Sequence, residues 1–407
     1  MGPLAGVKVL DLSRILAGPW ATQCLADFGA TVWKVEKPGA GDDTRQWGPP
    51  WVRDAKGGDS GEAAYYASTN RGKRSVAVDF TQAAGQALLR SLSMRADVLI
   101  ENFKVGTLAK YRLGYESLHR LNPRLVYCSI SAFGQDGPRK DEAGYDAMIQ
   151  GISGLMSVTG VPEGEPGAGP VKVGVAVSDL ITGLYAVNAI EAALYEREMS
   201  GRGQYIDLAL LDTQVAALAN QALNYLVTGK APGRRGTAHP NIVPYQAFAT
   251  KDGYLMLAVG NDRQFADFCR VAGRAGLAKD ERFATNAARV EHRAALIPQI
   301  DRLCRQKTTA AWLKALASAG VPCGPINDLA QVFEEPQVRH RKLRFDLPHP
   351  GGGPVPQVRN PVLFSRTVLK YRDPPPLLGQ HTDEVLSKEL GVTAEELRRL
   401  RTDGVIG

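Results

Sequence analysis

The chain has 407 residues, 44% of them hydrophobic and 22% charged, with a net charge of +7. That length exceeds one ordinary core, so two domains are expected. No apolar run approaches the roughly 18 residues of a membrane span, no signal or transit segment is expected at the start, and no Lys/Arg tract points to nucleic acid. The five cysteines are scattered without a C-x-x-C pair. This argues against a disulfide framework or a zinc site and for a reducing, cytoplasmic interior. A small polyanionic ligand accounts for the modest positive charge.

In chain order, residues 4–12 read as a strand, Gly18-Pro19 opens a helix through Phe28, and Thr31–Glu36 reads as a second strand. Such a β-α-β unit implies parallel strands and a right-handed crossover. Its turn, Leu16-Ala17-Gly18-Pro19-Trp20, lacks the G-x-G-x-x-G that lets a pyrophosphate approach the backbone. The expectation is a Rossmann-like topology without NAD. A long loop, Lys37–Glu62, carries GDDTRQWGPP at 41–50; loops of this length are usually functional or disordered. Asn70-Arg71-Gly72-Lys73-Arg74 then sets three cations before a strand expected over Ser75–Phe80. They read either as a charged edge that discourages aggregation or as a clamp for phosphates or carboxylates. Gln82–Arg95 reads as a helix and Asp97–Asn102 as a strand ending in Asn102-Phe103. A short helix to Lys110, another over Tyr115–Leu121, a strand over Leu125–Ala132 and a helix from Tyr145 follow. The alternation predicts an α/β domain with a parallel sheet.

Val171–Gly183, VKVGVAVSDLITG, is the stretch of greatest interest. Its first half alternates like a short buried strand. Its second half opens a helix over 179–199 with Leu180, Leu184, Val187 and Leu194 on one stripe. Asp179 sits at the junction. There a carboxylate faces unpaired N–H groups and the positive end of the helix dipole, which keeps it ionised, as a nucleophile requires. The same residue is also a common N-cap. After a strand at Gln204–Leu210 the pattern changes near Tyr225. A hairpin spans Tyr245–Val259, helices follow near 261–272, 289–306 and 309–319, and Val321–Ile326 is too proline-rich for an interior strand. Residues 1–225 are expected to form the large domain and 226–330 a smaller α+β domain.

Together, LDLSRILAGPWATQ, VEKPGAGDD, NRGKRS, IENF, SAFGQDGP, AGYD, VGVAVSDLITGLYA and PPPLLGQHT, in this order, resemble the class III CoA-transferases, the formyl-CoA transferase and CaiB/BaiF family. GDDTRQWGPP, GTAH with IVPYQAFATKDGY, GVPCGPIN and FEEPQVRH look like its succinyl-CoA:glutarate branch. The resemblance implies a ring-like subunit interlocked with a second copy as a homodimer, and residues 331–407 returning to the large domain. It implies exchange of CoA between carboxylates, with succinyl-CoA as donor, a dicarboxylate such as glutarate as acceptor, CoA as substrate, and no metal or other cofactor. Asp179 falls on the family's nucleophilic aspartate. The CoA contacts fall on Lys37, Arg71, Lys73, Arg74, Asn102, Phe103 and Lys110. Lys37 and Lys110 replace Arg, which loses the bidentate fork. Leu16 replaces a Gln used in oxalate chemistry, which argues against oxalate. Arg71 matches the apparent carboxylate anchor of the glutarate branch. A racemase subgroup moves an α-proton with a His where this chain has Tyr145, and a phenol of pKa about 10 is a poor base at neutral pH. The resemblance therefore implies transfer, with a 2-methylacyl-CoA isomerase as the alternative and a non-catalytic acyl-CoA binder behind it.

Overall fold

The computed structural model describes residues 2–407. The chain packs as two units. The larger runs to Leu155, resumes over Lys172–Gly229 and closes with Arg339–Gly407; the smaller comprises Met156–Val171 and Lys230–Val338. The expected breaks at 225/226 and 330/331 thus fall at 229/230 and 338/339. Residues 156–171, read with the large domain, pack with the smaller unit. The cause is local pairing: Gly160–Val161 pairs with Gly169–Pro170, and the Gly236 N–H donates to the Gly160 carbonyl.

In the larger unit β1 (Lys8–Asp11), β2 (Thr31–Glu36), β3 (Lys73–Ala77), β4 (Val98–Glu101), β5 (Val126–Ser131) and β6 (Tyr205–Ala209) form one sheet. Its order is β6-β5-β4-β1-β2-β3 and every pair is parallel. The order reverses between β1 and β4, and doubly wound folds bind ligands at that reversal, beyond the carboxyl ends of the strands. The helices that matter to the site are α1 (Ala17–Asp27), α2 (Ala83–Ser93), α3 (Asp146–Ile152), α4 (Val177–Ser200), α5 (Leu210–Ala217) and α6 (Ala219–Thr228). Successive strand residues point to opposite faces. Val9, Val32, Ile100 and Val126 pack with Ala21 and Leu25 of α1 and Ala186, Val187 and Ile190 of α4. Leu10, Trp33, Leu99 and Tyr127 pack with Leu89 and Leu92 of α2 and with Val385, Leu386 and Leu397 from the chain's last two helices. Burial on both faces explains why these strands read as continuous apolar runs.

Three sequence expectations change here. Val171–Val175 forms no strand: its backbone is engaged by a side chain, the Val173 N–H donating to Gln150 Oε1 at 2.9 Å, and Val171 and Val175 are exposed. The third sheet strand begins at Lys73 rather than Ser75, which draws Lys73 into the sheet. Finally, α4 is long and apolar enough to cross a membrane by length and composition. Its apolar residues are shared between the sheet and an exposed face, as in a core helix.

The smaller unit carries an antiparallel sheet of β7 (Tyr245–Ala249), β8 (Tyr254–Ala258) and β9 (Cys323–Pro325), ordered β7-β8-β9. The proline-rich β9 takes an edge, as the missing N–H of proline requires. Phe248, Leu255, Leu257, Phe268, Ile300 and Trp312 form its core. This is the α+β arrangement read from the sequence.

Candidate active site

Asp179 lies in the first turn of α4, three residues after the Ala176 that ends the preceding coil. Gly183 follows one turn later. A Cβ there would meet the Ala17 carbonyl at 2.7 Å and Trp20 at 2.9 Å, so glycine is what lets α4 approach the start of α1. The helix start is not capped by Asp179. Asp146, at the start of α3, places Oδ1 2.8 Å from the Ser178 N–H and 3.4 Å from that of Asp179. Gln150, one turn on, donates to Asp146 Oδ2 at 2.6 Å. Asp146 thereby satisfies helix-end donors that would otherwise lack partners.

This reverses the expected electrostatics. Burial, and then the charge of Asp146, push the Asp179 carboxyl up from 3.8 to about 7. The donors expected to keep it ionised are occupied by its neighbour. Tyr65 lies within reach of the same field: burial, then Asp179 and Asp146, raise its phenol above the ordinary range. Its ring meets Trp47 edge-on, with centroids 5.1 Å apart.

Asp179 opens into a cavity of about 230 Å³ lined also by Arg14, Leu16, Asn102, Phe103, Lys140 and Tyr145. The structure therefore brings together Asp179, Leu16, Asn102, Phe103 and Tyr145 of the residues singled out in the sequence. A second cavity of about 480 Å³ is lined by Lys37, Lys34, Asp79 and Phe80 and shares Arg14, Asp43 and Phe103 with the first. The first lies at the sheet's reversal point, and the second extends from it over the carboxyl ends of β2 and β3. Asn102 is a clamp: its Nδ2 donates to the Arg14 carbonyl at 2.7 Å and its Oδ1 accepts the Arg14 N–H at 2.8 Å. The Arg14 guanidinium lies over the Phe103 ring, 5.0 Å from its centroid.

Other residues fall elsewhere. Arg71, expected as carboxylate anchor, is 5% exposed. Its Nε and Nη2 grip Asp27 at 2.9 and 2.6 Å, and Nη1 donates to Gln357. A guanidinium so committed has no free fork for a ligand. It lines a different cavity, of about 310 Å³, which it shares with Arg74. Arg74 faces Asp373 at 3.6 Å and Glu384 at 3.9 Å. Lys73, expected at CoA, is fully buried. It donates to Asn70, the Pro19 carbonyl and Asp11, and burial pulls its ammonium down to about 8. Lys110 ends the short helix Thr107–Lys110 and is exposed, outside both cavities near Asp179. Among the described residues no group of three or more His, Cys, Asp or Glu could hold a metal ion.

Asp146, Tyr65 and Arg14 were not singled out from the sequence. Asp146 was visible in AGYD, but nothing in a spacing of 33 residues links it to Asp179. Tyr65 sits behind a loop whose fold has no local signature.

A partly buried carboxyl beside a second carboxylate, at the reversal point of a doubly wound sheet and next to two cavities that share Arg14, Asp43 and Phe103, is an arrangement that can serve acyl transfer through a carboxylate. Residues 4–382 match CoA-transferase family III. The chain is 52% identical over 386 residues to a succinate–glutarate CoA-transferase of Agrobacterium fabrum, covering 95% of both chains. It is 44% identical to the succinyl-CoA:glutarate CoA-transferase of Homo sapiens, covering 99% of this chain and 90% of that one. The crystal structure of a CaiB/BaiF family protein from Brucella suis aligns with a TM-score of 0.83 and 49% identity, over 95% of this chain and 99% of that one. The chain belongs to CoA-transferase family III and is an enzyme of that class.

Proposed function

We propose that this enzyme moves CoA from succinyl-CoA to glutarate through covalent intermediates on Asp179. The observation that carries the reading is the placement of Asp179: partly buried, beside Asp146, and open to the cavity shared by Asn102, Phe103 and Tyr145. The Asp179 carboxylate attacks the thioester carbonyl and gives an acyl–aspartyl anhydride and CoA thiolate. The thiolate attacks the aspartyl carbonyl, leaving an aspartyl-CoA thioester and releasing succinate. Glutarate carboxylate then attacks that thioester, and the freed thiolate takes the glutaryl group and regenerates Asp179. Every bond is exchanged between oxygen and sulfur, so the sequence needs no metal or redox group. A high pKa makes Asp179 a stronger nucleophile once ionised. Against the isomerase alternative stands Tyr145, which lines the cavity where the resemblance places the His of that chemistry.

CoA is proposed to lie along the joined cavities, with Lys37 near its phosphates and Phe103 and Tyr145 towards the thioester. Arg71 and Lys73 are withdrawn from that role. A homodimer is proposed because α6 buries none of its own residues, while Tyr195 (75% exposed), Met199 (80%), Leu226 (74%) and Val227 (76%) leave α4 and α6 with a broad apolar surface. A second copy of the chain is the proposed occupant. A cytoplasmic setting is proposed from five cysteines that are all unpaired. The test of the transfer reading is formation of glutaryl-CoA from succinyl-CoA and glutarate by the purified enzyme, followed by chromatography. Rapid turnover with glutarate and none with oxalate is expected; the reverse preference refutes the acceptor.

A further inference from the structure

Ile15 adopts a backbone φ of +71°. This is a left-handed conformation that a β-branched residue rarely takes. It directly precedes Leu16 and lines the Asp179 cavity. Such a conformation persists only where the surroundings over-determine it, and here three consecutive residues are held from outside the turn. The Ser13 carbonyl accepts from the Lys34 ammonium at 3.1 Å. Arg14 is clamped through both backbone groups by Asn102. The Ile15 N–H points at both carboxylate oxygens of Asp42, at 3.3 Å each. Asp42 is in turn paired with Lys34 at 2.9 Å, with side chains 1% and 0% exposed. Its Oδ1 also accepts from the Thr44 N–H and hydroxyl, at 3.0 and 2.8 Å.

We propose that Asp42, backed by Lys34, is a positioning residue that holds Ile15 in its left-handed conformation and so fixes the Ile15–Ala17 wall against which Asp179 reacts. Stability alone gives a poor reason for this arrangement. A fully buried ion pair seldom adds net stability over apolar residues of the same volume, and a glycine at position 15 would remove the backbone strain. Both features make sense if the shape of the turn is what matters. The same carboxylate caps the turn that carries Asp43 and leads to Trp47. One buried anion therefore registers two segments of the site against each other.

The proposal rests on reading Asp179 as the nucleophile, so the test runs beside Asp179→Asn. The double variant K34M/D42N keeps an amide oxygen for the Ile15 N–H and leaves no unpaired buried ammonium. K34M/D42L keeps the volume and removes the acceptor. Both double variants lack the Lys34 contact with the Ser13 carbonyl, so they are compared with each other: the expected result is a kcat at least tenfold higher for K34M/D42N than for K34M/D42L. Adding Ile15→Gly to K34M/D42L, which lets position 15 revisit positive φ without strain, should recover tenfold or more relative to K34M/D42L. Ile15→Gly alone should not lower Tm despite the lost side chain, and this reads the strain even if K34M/D42L does not fold. A fall of several degrees in Ile15→Gly, equal kcat in the two double variants, or no recovery on adding glycine overturns the proposal. Full activity in Asp179→Asn would instead overturn the nucleophile reading, whatever the Asp42 variants do.

Discussion

Replacing Asp179 by Asn probes chemistry and electrostatics together, because the side chain keeps its shape and loses only its charge. The carboxyl is displaced from 3.8 to about 7 by burial and by Asp146. At about 1.4 kcal/mol per unit, ionising it in the folded enzyme costs up to about 4 kcal/mol, and its partial exposure reduces that to about 2–4 kcal/mol. The sign follows from proton binding. Between pH about 4 and 7 the folded state keeps a proton that the unfolded state has released, so the parent enzyme loses stability as pH rises and the loss is complete above about 7. The amide of the variant has no charge to desolvate and escapes this loss. At roughly 1–2 °C per kcal/mol for a chain of this size, Asp179→Asn should melt about 2–8 °C above the parent at pH 8, and the gap should shrink to less than half at pH 5. Calorimetry at fixed protein concentration reads both, and transfer activity should fall at least 10⁴-fold in the same preparation. A variant less stable than the parent at pH 8, or a gap independent of pH, would refute the electrostatic account of the site.

Asp146→Asn removes the like charge and should lower the acid-limb pKa of kcat/KM, which in the parent enzyme should lie near 7, with activity lost below it. A pH profile unchanged by the substitution contradicts the coupling. Arg71→Leu leaves Asp27 buried without its guanidinium and should destabilise the fold by about 3–5 kcal/mol without selectively raising the acceptor KM; a selective loss with dicarboxylate acceptors and an unchanged Tm would restore the anchor role. Sedimentation equilibrium at low micromolar concentration should give a dimer, and a folded, active monomer would contradict the use proposed for α6. Lys37→Ala should raise KM for acyl-CoA several-fold with kcat little changed, and an unaltered KM would place the phosphates elsewhere.

Much of the scaffold was legible because it depends on local pattern. The strands buried on both faces and the helices between them announce a parallel sheet, and the turn after β1 lacks the glycines of a dinucleotide site. Asp179 drew attention because it stands at a helix start, where sequence punctuation is strongest, but its role as nucleophile and the choice of Asn102 and Phe103 came from the family resemblance. What remained hidden depends on side-chain direction and distant partners. Lys73 and Arg74 are neighbours in sequence, yet one residue of strand phase sends Lys73 under the sheet and Arg74 to the surface. Arg71 looked like a free cation because Asp27, its partner, lies 44 residues earlier on α1. The high pKa of Asp179 could not be foreseen, since the N–H groups expected to lower it are occupied by a carboxylate from another helix.

Trapping the covalent intermediate tests the central claim most directly. The enzyme is incubated with succinyl-CoA in the absence of acceptor, quenched in acid, digested and analysed by mass spectrometry, with and without hydroxylamine. The mechanism predicts a CoA thioester on the peptide that contains Asp179, converted to the hydroxamate by hydroxylamine and absent from Asp179→Asn. An enzyme that turns over normally with no adduct on that peptide, or with the adduct on another residue, contradicts it.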